Sequence, residues 1–511
     1  MRRTLAALFV LLGVVLTAGS AAAGDNDSGF KTDQAAMLTP LAPGAAVTPI
    51  MTVGETLNSG YRMESIPDGI SFSTRGQGRV DVYLNHETST VPFPFTPATG
   101  VGFNDFTNAM VSHLIINQHS AGVLQGSYVI PSEANYQRFC SNFLATAEHG
   151  FERDLLFTNE EATDFVNRTG TAWPPGPSAE QAGVVVAFDL KSGEYRSIYG
   201  MGRHNHENSV AVPGYGHPVV LSGDDTFAAP ASQLYLYEAG SAAAVWNDQG
   251  SLYALRSDDP ATNDYGDLSL GESVSGTFIP VPHAIAVGDQ TGLENWSNDN
   301  NVFQFIRVED IAYDRNASNV VYFADTGEPR ALPNPATGRL MRGPSSARGP
   351  YPNGRLFKIV LDPANPLKVQ SLSVLIDADL GGYSNVGVIH QPDNVETTEN
   401  SILIQEDPGG HNQGATTARI WRYDLSDGTL EVVARVDQSA DEGPGDLDPT
   451  PAGAAGAWES SGIIDASSAF GPGAFLVDIQ AGTLIVEREV RGTLTYEREG
   501  GQLLLFRLPG A

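Results

Sequence analysis

Acidic side chains recur in this sequence at the ends of short apolar runs, and the recurrence is what gives them chemical meaning. DVYLNHE (81–87), DLLFTNEE (154–161), PVVLSGDD (218–225), NVVYFADTG (319–327), SILIQED (401–407) and AFLVDIQ (474–480) share one grammar, an apolar run of four or five residues that closes on acid. Ahead of each lies a segment with a polar head: PDGISFS (67–73), FCSNFLA (139–145), HENSVAV (206–212), RVEDIAY (307–313), QPDNVETT (391–398) and WESSGII (458–464). Brought to one face, these segments would gather Asp68, Glu87, Glu160, Glu161, Glu207, Asp224, Asp225, Glu309, Asp325, Glu396, Glu406, Asp407 and Glu459, with Cys140, His86, His204 and His206 beside them. So many carboxylates cannot all ionise in a low dielectric without cations among them. Oxygen-only sets suit calcium, and a thiolate among carboxylates suits a transition metal such as iron. Arg307, two residues before Glu309, offers a planar pair of donors for an oxyanion such as phosphate, or else a salt bridge to that glutamate. Asn85, Asn205 and Asn208 could orient substrate or water, although Asn is equally a turn residue.

Short β-branched or aromatic runs bounded by turn residues read as buried strands rather than helix. Asp-Leu-Lys-Ser-Gly (189–193) and Asp-Leu-Ser-Asp-Gly (424–428) are tight-turn chemistry between further strands. Each unit therefore reads as a polar-headed strand, an acid-ended strand and an outer hairpin. Six such units predict an all-β chain, a six-bladed β-propeller whose innermost strands line a central channel. The acid-ended runs start 64 to 101 residues apart, so the blades carry long inter-strand insertions, 88–108 among them. A strand near 46–54 is expected to complete the last blade and close the ring.

Arg2 and Arg3 before an apolar stretch from Leu5 to Leu16, with Ala21-Ala22-Ala23 after it, read as a secretory signal peptide over 1–23. Residues 24–45 read as a linker and 46–511 as one propeller domain. No later stretch reaches the roughly 18 apolar residues of a membrane helix, so no membrane association is expected after cleavage, and a secreted or periplasmic bacterial protein is. The single cysteine, Cys140, excludes an intramolecular disulfide framework. A net charge of −31 makes nucleic acid a poor partner and hard cations good ones. A monomer is expected. No Gly-x-Ser-x-Gly elbow supports a serine hydrolase.

The ordered motifs HENSVAV, LSGDD followed by QLYLY, FIRVEDIAY, QPDNVETT, ILIQED and WESSGI followed by FLVDIQ resemble the PhoX-type alkaline phosphatase family, as do NHE at 85–87 and NEE at 159–161. The likeness spans roughly residues 60–485. It implies a six-bladed propeller that holds several calcium ions and ferric iron at the channel mouth and hydrolyses small phosphate monoesters. Residue by residue, it implies Glu207, Glu309 and Glu459 as metal ligands, Cys140 as a further ligand, and Arg307 as a phosphate binder. Glu160, Asp224, Asp325 and Glu396 complete the expected ligand set, Glu309 and Arg307 the expected catalytic pair, and Arg307 with Asn85 the expected substrate contacts. Two alternatives stay open, a calcium-dependent lactonase or esterase on the same fold, and a non-catalytic propeller braced by calcium.

Overall fold

Alternation of apolar and polar residues, reversed every few positions by Gly, Asn or Asp turns, makes antiparallel sheets the dominant structure of the described residues. This computed structural model describes residues 28–92, 103–226, 232–383, 385–408, 416–438 and 456–511, and the expected signal peptide lies outside them. The six polar-headed segments form the strands Pro67–Gly76, Phe139–Ala145, His206–Ala211, Val308–Tyr313, Pro392–Thr397 and Glu459–Asp465. Each pairs with the acid-ended strand that follows it, and each is the innermost strand of its unit. These inner strands touch one another in sequence order, and the last returns to the first, so the units close into a ring. Units three and four share one nine-stranded sheet because Ser273–Pro280 bridges Ser251–Ser257 to Asn365–Asp377. The propeller expectation holds.

Closure comes from the two halves of the chain. Ala46–Thr52 pairs antiparallel with the strand Leu494–Arg507, Ala46 opposite Arg507 and Thr52 opposite Gln502, and so supplies the fourth strand of the last unit. The expected linker is corrected in part. Leu38–Pro40 is a strand paired with Ala434–Val436 on the outside of unit five, because Met37 and Leu38 find an apolar slot there that no local pattern announces.

Every inner strand carries one extra residue near its start. Pro67 faces His86 but Ile70 faces Leu84, and the same three-for-two offset recurs at Phe139/Asn142, His206/Ser209, Val308/Ile311 and Pro392/Val395. In the sixth unit the offset falls between Ser461 and Ile463. Such bulges bend a strand and re-aim its side chains. Here they turn the polar heads toward the channel mouth. Aromatic packing behind them fixes the position. Phe305, Phe323 and Phe357 are fully buried, with Phe323 stacked on Phe357 at 5.2 Å and Phe305 edge-on to both. Burying each such ring is worth about 2–3 kcal/mol, and this cluster anchors the segment that carries Arg307, Glu309 and Asp310.

Candidate metal centre

The bulges and the ends of the acid-ended strands divide neighbouring acids into two roles. In units one, two, four and five the last paired residue of the acid-ended strand faces back into its own sheet and ties it. Glu160 accepts from the backbone N–H of Gln137 (2.8 Å) and Gly183 (3.1 Å) and takes two bonds from Arg168 (2.7 and 2.8 Å). Asp325 accepts from the N–H groups of Ile306 (2.9 Å), Arg307 (3.1 Å) and Gly327 (2.9 Å). Glu406 takes Arg419, the indole N–H of Trp421 (2.9 Å) and the N–H of His390 (2.8 Å). His86, at the matching position of unit one, bonds Ser65 O (3.1 Å) and Ser112 Oγ (2.7 Å). The next residue along, Glu87, Glu161, Asp225, Thr326 or Asp407, points the other way, as alternation requires.

Four expected ligands, Glu160, Asp224, Asp325 and Glu396, stand outside every group of converging donors found among the described residues. Glu160 and Asp325 are spent on backbone amides and, for Glu160, an arginine. Asp224 accepts from Thr226 Oγ1 (2.6 Å) through Oδ1 while its buried Oδ2 has no partner, and Glu396 lies beyond its bulge, paired with Arg315 (2.5 Å). Asn85, expected to touch substrate, is a strut instead. It is fully buried, donates to Thr158 Oγ1 (2.8 Å) and to the carbonyl of Cys140, and accepts from Asn142 (3.0 Å).

Three groups of donor atoms converge at the mouth: Cys140, Glu161 and Glu207; Glu207, Glu309 and Asp393; and Asp393, Asp407 and Glu459. Within each group the ligand atoms lie within 4.8 Å of one another. Because Glu207 and Asp393 each belong to two groups, the three form a row. It runs from a wholly buried end at Cys140 to a half-buried end at Glu459. Of the expected ligands, the structure brings together Cys140, Glu207, Glu309 and Glu459. Glu161 and Asp407 belonged to the broad set of converging acids but not to the chosen ligands. Asp393, a member of two groups, is outside the sequence-based set. Its signal was positional, since it directly follows the first paired residue of its inner strand, as Asp68, Cys140, Glu207 and Glu309 do in theirs.

The surroundings fix these donors. Cys140 Sγ lies 3.0 Å from Glu207 Oε1, which also accepts from Ser141 Oγ (3.1 Å). Thr326 Oγ1 donates to Glu309. The Arg307 guanidinium grips Asp225 through Nε (2.7 Å) and Nη2 (2.8 Å) and lies 3.2 Å from Glu309 Oε1. Burial first, and then repulsion from one another and from neighbouring acids, pushes the carboxyls of Glu161, Glu207, Glu309, Asp393 and Glu459 well above the ordinary range. Burial, then Asp68 and Glu207, raises the Cys140 thiol. One arginine cannot offset this many acids, and bound cations would. The donor set fits them: sulfur with oxygen at the buried end suits a transition metal, and oxygen alone at the other two groups suits calcium.

Superposed on solved structures, the chain matches Pseudomonas fluorescens PhoX, determined in complex with vanadate, a transition state analogue. The TM-score is 0.62 over 94% of this chain and 98% of that one, at 15% identity. The fold is PhoX-like. Two further matches score much lower. The Dos1 propeller gives a TM-score of 0.32 at 8% identity over 90% of this chain and 82% of its own, and a chain of the mitotic checkpoint complex gives 0.34 at 10% identity over 94% and 98%. No protein-family model and no curated protein matches the chain.

Proposed function

We propose that the protein is a secreted, metal-dependent phosphomonoesterase that acts on small phosphorylated substrates. The observation that carries this reading is the row of three donor groups with a buried arginine at its middle. The PhoX-like fold supports it. Cys140, Glu161 and Glu207 would hold a transition metal such as ferric iron, and the groups centred on Glu309 and on Glu459 would hold calcium. Such cations, when bound, supply charge stabilisation to phosphoryl oxygens and lower the pKa of water. Arg307, fixed in orientation by its two bonds to Asp225, places a permanent positive charge beside Glu309, where phosphoryl oxygens gain negative charge in the transition state. Ser141 and Thr326 hold the Glu207 and Glu309 carboxylates still.

The test is hydrolysis of a chromogenic phosphomonoester by purified protein supplied with calcium and ferric iron, before and after chelation. Activity lost to chelator and restored by metal is expected. Arg307→Ala is expected to lower kcat/KM by about 100- to 1,000-fold, the usual cost of removing one group that stabilises transition-state charge, and Glu309→Gln to lower it by at least about 100-fold through loss of a cation that does the same. Wild-type rates in both variants would overturn the reading. Turnover of lactones with Arg307 dispensable would replace it with a calcium-dependent lactonase.

A further inference from the structure

Asp478 is fully buried in the second strand of unit six, and neither of its carboxylate oxygens has a hydrogen-bond partner. Unsatisfied buried carboxylates are costly, and native structures seldom keep them without a reason. Asp68, on the inner strand of unit one, is equally buried, and its Oδ1 is also without a partner. Its Oδ2 is already taken by Gln480 Nε2 (2.8 Å) and Ser461 Oγ (3.2 Å), with Cys140 Sγ at 3.5 Å. Between the two acids lies Gly462, the extra residue of the sixth bulge, with a φ of +43°. A Cβ on that glycine would sit 2.6 Å from the Asp68 carbonyl oxygen and 2.8 Å from Asp478 Oδ2. The glycine therefore keeps open a small cradle walled by oxygen. Among the described residues, no Lys, Arg or His forms an ion pair with either acid. Neither acid belongs to the three donor groups at the mouth.

We infer a fourth cation site, for a hard divalent ion such as calcium, built from Asp478, the Asp68 Oδ1 and the Asp68 carbonyl. The donors are all oxygen, with two carboxylates and a backbone carbonyl, which is the calcium pattern rather than that of zinc or iron. Its position gives it a purpose separate from turnover. Asp478 belongs to the last unit and Asp68 to the first, so a shared ion staples the seam at which the ring closes.

The site is tested by counting calcium and by melting, neither of which depends on any enzymatic reading. Purified protein is stripped with chelator, reloaded with calcium, dialysed and analysed by mass spectrometry for bound metal, alongside Asp478→Asn. The variant is expected to hold one calcium fewer per chain and to gain less in Tm on calcium addition. Equal calcium content with an unchanged calcium response would overturn the inference and leave a protonated acid or a buried water in the cradle. Should Asp478→Asn fail to fold, crystals of the unaltered protein soaked in terbium give the same decision. An anomalous peak at bonding distance from Asp478 supports the site, and peaks at the mouth with none there refute it.

Discussion

Glu160 and Glu161 are adjacent in sequence and opposite in function, and a pair of substitutions separates them. Glu160 is fully buried and receives backbone N–H groups together with both terminal nitrogens of Arg168. Breaking a buried ion pair by removing one charge costs about 3–5 kcal/mol. Arg168 is partly exposed and keeps a second partner in Glu180 (2.8 Å), so the lower end, about 3 kcal/mol, is expected for Glu160→Gln. Because Glu160 touches none of the donor groups, that loss should be the same in calcium and in chelator. Glu161→Gln should behave in reverse. Burial and the neighbouring Asp225 and Glu87 hold the Glu161 carboxyl above its ordinary range, so removing its charge relieves repulsion. The stripped variant should be more stable than stripped wild type while it retains metal less well. Urea unfolding of the three proteins, each with and without calcium, reads both signs. A Glu160→Gln penalty that disappears on chelation, or a stripped Glu161→Gln protein less stable than wild type, would refute the assignment of tie and ligand.

The metal-free protein should lose stability as pH rises. Burial lifts Asp68 to about 6, Asp105 to about 7 and Glu87 to about 8. Each binds its proton more tightly folded than unfolded, so the stability it adds is fully present below pH about 4 and is lost progressively from there as pH rises to about 6, 7 and 8 respectively. Tm measured in chelator should fall across that window and the fall should flatten with calcium; a rise in chelator would contradict it. Cys140→Ser is expected to abolish retention of iron after reconstitution while most calcium remains, as elemental analysis would show, since a hydroxyl replaces the one soft donor in the row. Asp225→Asn frees Arg307 from its two-point hold and should lower kcat/KM on a phosphomonoester by about 10- to 100-fold. In the Arg307→Ala background the same change should cost little more, the signature of two residues acting through one contact.

Much of the architecture was legible because strand periodicity and turn residues are local. FCSNFLA, read from sequence as a polar-headed strand, is the strand Phe139–Ala145, and the six acid-ended runs all pair as second strands. The ring-closing strand near residue 46 was legible too, since a propeller without it leaves the last sheet short. The choice between adjacent acids was not legible. Glu160 or Glu161, Asp224 or Asp225, and Glu406 or Asp407 differ only in which face of the sheet they occupy, and a one-residue bulge in the partner strand decides that. Partners far along the chain decide the rest. Arg315 claims Glu396 from 81 residues away, and nothing near either residue announces it. Leu38–Pro40 is a strand only because unit five offers it an edge.

The pairing of residues 46–52 with 502–507 also sets a timetable. No blade beyond the fifth can be complete until the last strand has been made and has met a partner about 450 residues upstream, and contacts of such long reach are slow to form. The donor row draws on five different blades, so its geometry exists only after that meeting. Metal bound by the complete row would consequently enter late in the life of the chain, and the ions available where the ring snaps shut, rather than where synthesis begins, would decide what the row contains. A folding compartment rich in calcium but poor in iron would yield a ring that is closed, stable and only partly equipped.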